Sequence, residues 1–231
     1  MTRFNQAAGL LAGRRTATAL ALACTAWLVG CATPPQPRDD SAFRQARPTT
    51  LLVLPPVNVS PDIKATPALW ASATRPLAEA GYYVLPVTLV DETLRQNGVQ
   101  TAEDAHGINA ERLRDYFGAD AAVYIRVLRY GSTYAVVASE VTVQAEAKII
   151  DLRTGTLLWE GSARASSAEQ QQQNQGGIAG LLIGALVQQI LNTTTDTAYQ
   201  YAGIASERLL SAQRHNGILP GPRSPVLKKA P

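Results

Sequence analysis

"VTVQAEAKIIDLRTGTLLWEGSA", Val141 to Ala163, decides the fold class. Val141, Val143, Ala145, Ala147 and Ile149 alternate with Thr142, Gln144, Glu146 and Lys148. That period of two turns one set of side chains to a core and the other to water. The alternation breaks at Asp151-Leu-Arg-Thr-Gly155, where a glycine free to take positive φ closes a hairpin. Leu157 and Trp159 then restore the apolar face, and upstream Val123, Ile125 and Val127 alternate with Tyr124 and Arg126. These are antiparallel strands covered on one side.

Toward the N-terminus the pattern changes. Thr50-Leu-Leu-Val-Leu-Pro55 is a short apolar run that reads as a buried strand. Thr66-Pro67 offers an N-cap followed by Pro at the first helical position. Pro76 should kink or split that helix, and Gly81 should end it. Tyr82 to Pro86 is a second strand, so strand, helix and strand make a parallel crossover. Thr88 to Asp91 resembles a capping box, and Asn109 to Phe117 is a short helix. After the polar break Ser166 to Gln175, the stretch from Gly177 to about Gln213 reads helical. The expected fold is α/β: a single mixed sheet, parallel plus antiparallel, of about five strands packed with helices, with a long C-terminal helical segment.

The first residues are an export signal. Arg3, Arg14 and Arg15 precede an uncharged run from Thr16 to Val29, too short for the about 20 apolar residues of a membrane span. Leu28-Val29-Gly30-Cys31 resembles a lipobox, which makes Cys31 the lipidated first residue of the mature chain. Ala21-Leu22-Ala23-Cys24 competes less well, because it shortens the apolar run. The chain carries 21 Lys+Arg and 18 Asp+Glu. Three basic residues and no acidic one leave with residues 1–30, so the basic pI belongs to the signal and a nucleic-acid partner is not implied. Residues 31–48 read as a flexible tether, 49–217 as the domain and 218–231 as a loosely ordered tail. Ala32 after Cys31 favours outer-membrane sorting over inner-membrane retention.

Chemistry-bearing motifs are sparse. His106 and His215 are the only histidines, and a zinc site needs three or four converging ligands. No nucleophile elbow or P-loop occurs, and Asp91-Glu92 and Glu103-Asp104 read as solvated helix starts. No catalytic residue, metal or cofactor is expected. The loop Leu54 to Asp62 lies at the C-terminal end of a parallel strand, where open α/β sheets place ligands. Asn58, Ser60 and Asp62 there either meet a partner or satisfy their own turns, the second being the commoner use. Gly176, Gly180 and Gly184 fall in one row of a helix. Such a row suits close packing on the chain's own sheet, self-association, or membrane contact.

Four segments carry a family likeness: "LLVLPPVNVSPDIKA" (51–65), "PLAEAGYYVLPVTLVDETLRQNG" (76–98), "IIDLRTGTLLWEGSA" (149–163) and "HNGILPGPR" (215–223). Together they resemble the neisserial genome-derived antigen family of outer-membrane lipoproteins. The resemblance implies an α/β domain akin to the N-terminal domain of TolB and to curli-type secretion lipoproteins. It further implies dimer-like association and a part in envelope transport, with no catalytic residues to carry over. The expectation is a non-enzymatic lipoprotein at the periplasmic face of the outer membrane. Its partners would be the membrane, through the acyl anchor, other envelope proteins and a second copy. The alternative is a regulator docking on a periplasmic cell-wall synthase.

Overall fold

A computed structural model describes residues 38–134, 139–169, 197–212, 214 and 217–225. Cys31, His215 and the Gly176, Gly180 and Gly184 row lie outside them. The elements are α1 (Ser41–Ala46), β1 (Thr50–Val53), β2 (Val57–Asn58), α2 (Ala65–Glu79), β3 (Tyr83–Val84) and α3 (Val87–Gln96). Then follow α4 (Ala102–His106), α5 (Ala110–Phe117), β4 (Ala121–Tyr134), β5 (Ser139–Asp151), β6 (Leu157–Ser166) and α6 (Thr197–Leu210).

One mixed sheet holds all six strands in the order β3-β1-β4-β5-β6, with β2 also on β4. β1 is parallel to β3 and β4, whereas β4, β5 and β6 form an antiparallel ribbon. The mixed α/β sheet is thus the expected one, with β2 as an added strand. The apolar set is buried as read, at Val123, Ile125, Val127, Val141, Val143, Ala145 and Ile149, but Tyr124 and Thr142, expected on the wet face, are buried too. α2 and α6 pack on each other and over the ribbon.

Local details differ from the sequence reading for identifiable reasons. Leu157 is 46% exposed, while Leu158 and Trp159 are buried. The β5–β6 register shifts between Ile149 and Ile150, so an extra residue turns the face over one position later than strict alternation. Thr66 does not cap α2, which starts at Ala65; its hydroxyl donates to the Pro56 carbonyl at 3.0 Å. α2 runs unbroken through Pro76, which sits in its last turns and removes only the bond to the Ser72 carbonyl. α3 begins after Pro86 with no side-chain cap, and Asp91 pairs with Arg95 at 3.0 Å instead of closing a capping box.

Both ends expected to be loose are in part folded onto the domain. In the supposed tether, α1 buries Phe43 against Tyr82, with ring centroids 6.5 Å apart. Arg153 of the hairpin donates to the Ala46 carbonyl at 2.6 Å, while Asp151 holds Arg153 at 2.9 Å. In the supposed tail, Ile218 and Ser224 are each 1% exposed. The Gly221 and Arg223 amides donate to the Ala80 and Gly81 carbonyls, and the Tyr82 hydroxyl donates to the Leu219 carbonyl. Gly81, at φ +99, permits this: a Cβ there would lie 2.2 Å from the Ser224 nitrogen.

Candidate functional site

In an open α/β sheet, ligands sit beyond the C-terminal ends of the strands where the chain departs to opposite sides. β1, between its parallel partners β3 and β4, is that place here. The chain itself closes it. β2 continues along β4, with Val57 opposite Arg126 and Asn58 opposite Val127. Between β1 and β2 come Pro55 and Pro56, which have no N–H for a ladder, so pairing must break there. Their carbonyls still need donors. Trp70 Nε1 donates to the Val53 carbonyl at 2.9 Å and the Thr66 hydroxyl to that of Pro56 at 3.0 Å. His106 Nε2 lies 3.0 Å from the Pro55 carbonyl. A carbonyl only accepts, so Nε2 carries the proton. Burial, opposed by this bond, pushes the His106 pKa down; Lys148 also lowers it and Glu103 raises it. The ring stands edge-on to Tyr124 at 5.1 Å.

Asn58, Ser60 and Asp62 come together just beyond this seam and bond within their own turn. Asn58 Nδ2 donates to the Asp62 carbonyl at 2.8 Å, and Asn58 Oδ1 accepts from the Ser60 amide at 2.9 Å and hydroxyl at 2.7 Å. Asp62 Oδ1 accepts the Lys64 amide at 2.9 Å. Asn58 belongs to β2, not to a loop. A cleft of about 500 Å³ remains beside the seam, lined by Pro55, Trp70, Asp91, Arg95, Thr101 and Glu103 among others. Asp91 is paired with Arg95, and the Thr101 hydroxyl donates to Asp104 at 2.7 Å. The expected solvated helix starts are therefore engaged locally. Among the described residues, no group of three or more His, Cys, Asp or Glu is placed to hold a metal.

At the other end of the seam, Asp120 Oδ2 accepts the Thr49 amide at 2.8 Å, the Thr49 hydroxyl at 2.6 Å and the Thr50 amide at 3.0 Å. Burial raises the Asp120 pKa, but these bonds and the charge of Arg153 outweigh it and hold the carboxyl below its ordinary range.

Two further concavities flank the ribbon. On its wet face, a cleft of about 750 Å³ is lined by His106, Tyr124, Arg126, Glu146, Lys148 and Ser162 among others. Lys148 Nζ lies 5.2 Å from the Tyr124 ring, and Arg126 is 3.9 Å from Glu146. Along the free side of β6 runs a groove of about 580 Å³. Arg38 crosses it, donating to the Glu160 carbonyl with its guanidinium 5.2 Å from the Trp159 ring. Arg208 donates to the Arg164 carbonyl at 2.6 Å, and Arg164 pairs with Glu140 at 2.7 Å. Gly161 is required: a Cβ would lie 2.6 Å from the Trp159 ring, which lies across it. Sequence reasoning missed this groove because Arg38 stands in a segment of tether-like composition. The lone aromatic Phe43 was the signal that this segment folds back.

The model of the family "GNA1162-like", named for lipoproteins, matches residues 38–223. The chain belongs to this family. A lipoprotein of Neisseria meningitidis serogroup B is 43% identical over 205 residues, covering 88% of this chain and 94% of the relative. The crystal structure of lipoprotein GNA1162 from Neisseria meningitidis is 44% identical, covering 63% of this chain and 99% of that one, with a TM-score of 0.49. The LpoB C-terminal domain from Salmonella enterica is 18% identical, covering 51% of this chain and 82% of that one, at a TM-score of 0.38. The matched span, residues 38–223, begins at Arg38 and so takes in α1, which lies outside the four segments that carried the resemblance in the sequence.

Proposed function

We propose that this chain is a lipoprotein anchored through acylated Cys31 at the periplasmic face of the outer membrane. There it acts, without catalysis, as an accessory subunit of an envelope transport or assembly complex. The observation that carries this reading is membership of a lipoprotein family joined to a domain whose candidate polar groups are engaged with one another. The seam that would hold a small ligand is occupied by β2, Trp70, Thr66 and His106. Among the described residues, what remains open besides the cleft next to the seam is a polar strand face and an edge groove, features suited to protein contacts. Stable attachment to a bilayer takes more than one acyl chain, which a triacylated N-terminal cysteine supplies.

Two experiments test it. Cys31→Ala should lose acyl label and leave the membrane fraction, while Cys24→Ala should keep both; label retained in Cys31→Ala refutes the anchor. Crosslinking in intact cells, followed by mass spectrometry, should recover envelope transport or assembly proteins. Recovery of cell-wall synthases instead would replace this reading with that of a synthase regulator. Turnover of ester, peptide, phosphate or glycan substrates that one substitution abolishes would overturn the non-enzymatic part.

A further inference from the structure

Among the described residues β6 borders the sheet, and side chains rather than a strand cover its outer main chain. The carbonyls of Glu160 and Arg164 face outward, since they accept from Arg38 and Arg208. By the two-residue period of a strand, Ser162 between them turns its N–H and C=O the same way. Glu160, Ser162 and Arg164 are all exposed, and the groove beside them is bounded by Ala163, Leu209, Arg214 and Gly217. Natural sheets protect such an edge with long charged side chains, because open edges pair with further strands.

The residues on this edge are complementary to themselves. An antiparallel second β6 centred on Ser162 sets Glu160 opposite Arg164 and Arg164 opposite Glu160, all on one face. Opposite charges in directly facing positions stabilise a strand pair and like charges oppose it. Centring on Glu160 or on Arg164 sets like against like, and centring on Gly161 or Ala163 leaves both charges without a facing counterion on this edge. Only the Ser162 register satisfies both.

We propose that β6 is a latched strand-docking edge whose occupant is a second copy of this chain, added antiparallel about Ser162, with Arg38 and Arg208 as the latch. Arg38 opens the described fold on the side of the chain that leads to Cys31, so the latch stands at the root of the anchoring segment. A strand arriving at the edge needs the Glu160 and Arg164 carbonyls that the two guanidiniums hold. This gives self-association a surface distinct from the glycine row, and it is independent of the transport reading.

The test uses the full chain in membranes, with Ser162→Cys as reporter and copper-phenanthroline as oxidant. Facing residues of a hydrogen-bonded antiparallel pair stand about 5.5 Å apart at Cα, within reach of a disulfide. Adding Arg38→Ala and Arg208→Ala should raise the crosslinked dimer several-fold over Ser162→Cys alone. Glu160→Arg on that background sets Arg against Arg and should return the yield to the lower level. Arg38→Lys together with Arg208→Lys should keep the latch and leave the yield at that of Ser162→Cys alone. Thr154→Cys, in the hairpin and off the edge, should stay uncrosslinked with the same alanine changes, which separates docking from general unfolding. Equal yield with and without the latch, no dimer, a gain that survives Glu160→Arg, or equal crosslinking at position 154 would each overturn the proposal.

Discussion

The two flanks of the ribbon are closed by different chemistry. On the β1–β2 flank, the Val53, Pro55 and Pro56 carbonyls are met by Trp70, His106 and Thr66, side chains rooted in helices and buried or half-buried. On the β6 flank, the Glu160 and Arg164 carbonyls are met by the tips of two arginines at the surface. Removing a buried partner leaves an orphaned carbonyl that water reaches poorly, whereas an exposed carbonyl simply takes water in its place. One flank is therefore a fixed part of the fold and the other a cover that can be displaced.

Trp70 offers the largest test of that contrast. Trp70→Ala should cost about 3–5 kcal/mol, from lost packing plus the cavity left behind. Trp70→Phe keeps most of the packing, removes only the donor to the Val53 carbonyl, and should cost about 1–3 kcal/mol. Urea unfolding of the soluble domain from Arg38 measures both. A Trp70→Phe protein as stable as the parent would mean that the Pro-Pro break is not held as argued.

Asp120 sharpens the comparison at the opposite end of the seam. Its carboxylate holds the start of β1 through three hydrogen bonds, and bonds to charged groups contribute about 1.5–3 kcal/mol each way of counting. Asp120→Asn should fall within that range, reduced because the site is partly open to water. The folded pKa is lowered, so the contribution is present above the unfolded value of about 3.9 and is lost as pH falls through the folded one. The parent should weaken below about pH 4 more steeply than Asp120→Asn; parallel curves would contradict this.

His106 should show a smaller effect at a different pH. Its folded pKa is also lowered, chiefly by burial. Its neutral form is favoured by folding, so the contribution is complete above about 6.5 and diminishes as pH falls below it. His106→Gln can keep a donor toward the Pro55 carbonyl without titrating in that window. The parent should lose more stability than His106→Gln between neutral pH and about pH 5. A variant with the same pH profile would remove His106 from the seam's acid response.

How far these flanks were legible in the sequence follows from the range of the interactions. Period two along Val123–Val127 and Val141–Ile149 marked the ribbon, because alternation is a local record of one-sided burial. The Pro-Pro break was visible, but its donors were not: Trp70, Thr66 and His106 are set by long-range packing. Thr66 shows the conflict directly, since its position suited a cap and its hydroxyl serves the Pro56 carbonyl instead. Arg38 and the tail were misjudged by composition, which reports average solvation and not single anchors such as Phe43 or Ile218. Asn58, Ser60 and Asp62 were legible as a cluster because Asn, Ser and Asp bond their own turn backbones.

The smallest stability change is expected on the displaceable flank. Arg38→Ala removes a guanidinium from the Glu160 carbonyl and from the Trp159 ring, and its pairing with Asp40 spans 4.0 Å. Exposed ion pairs contribute about 0–1 kcal/mol, a surface cation–π contact about 0.5–1 kcal/mol, and water can replace the hydrogen bond. The net loss should therefore stay below about 2 kcal/mol, under that of Trp70→Ala. Local exposure should change more than global stability. Amide exchange at Ser162 should quicken in Arg38→Ala, while amides facing β5, such as those of Gly161 and Ala163, keep their protection because their ladder is untouched. If Arg38→Ala instead lowered stability as far as Trp70→Ala, the arginine would be a structural member of the fold, and the two flanks would not differ in kind. If Ser162 exchange were unchanged, the guanidinium would not be covering the edge at all.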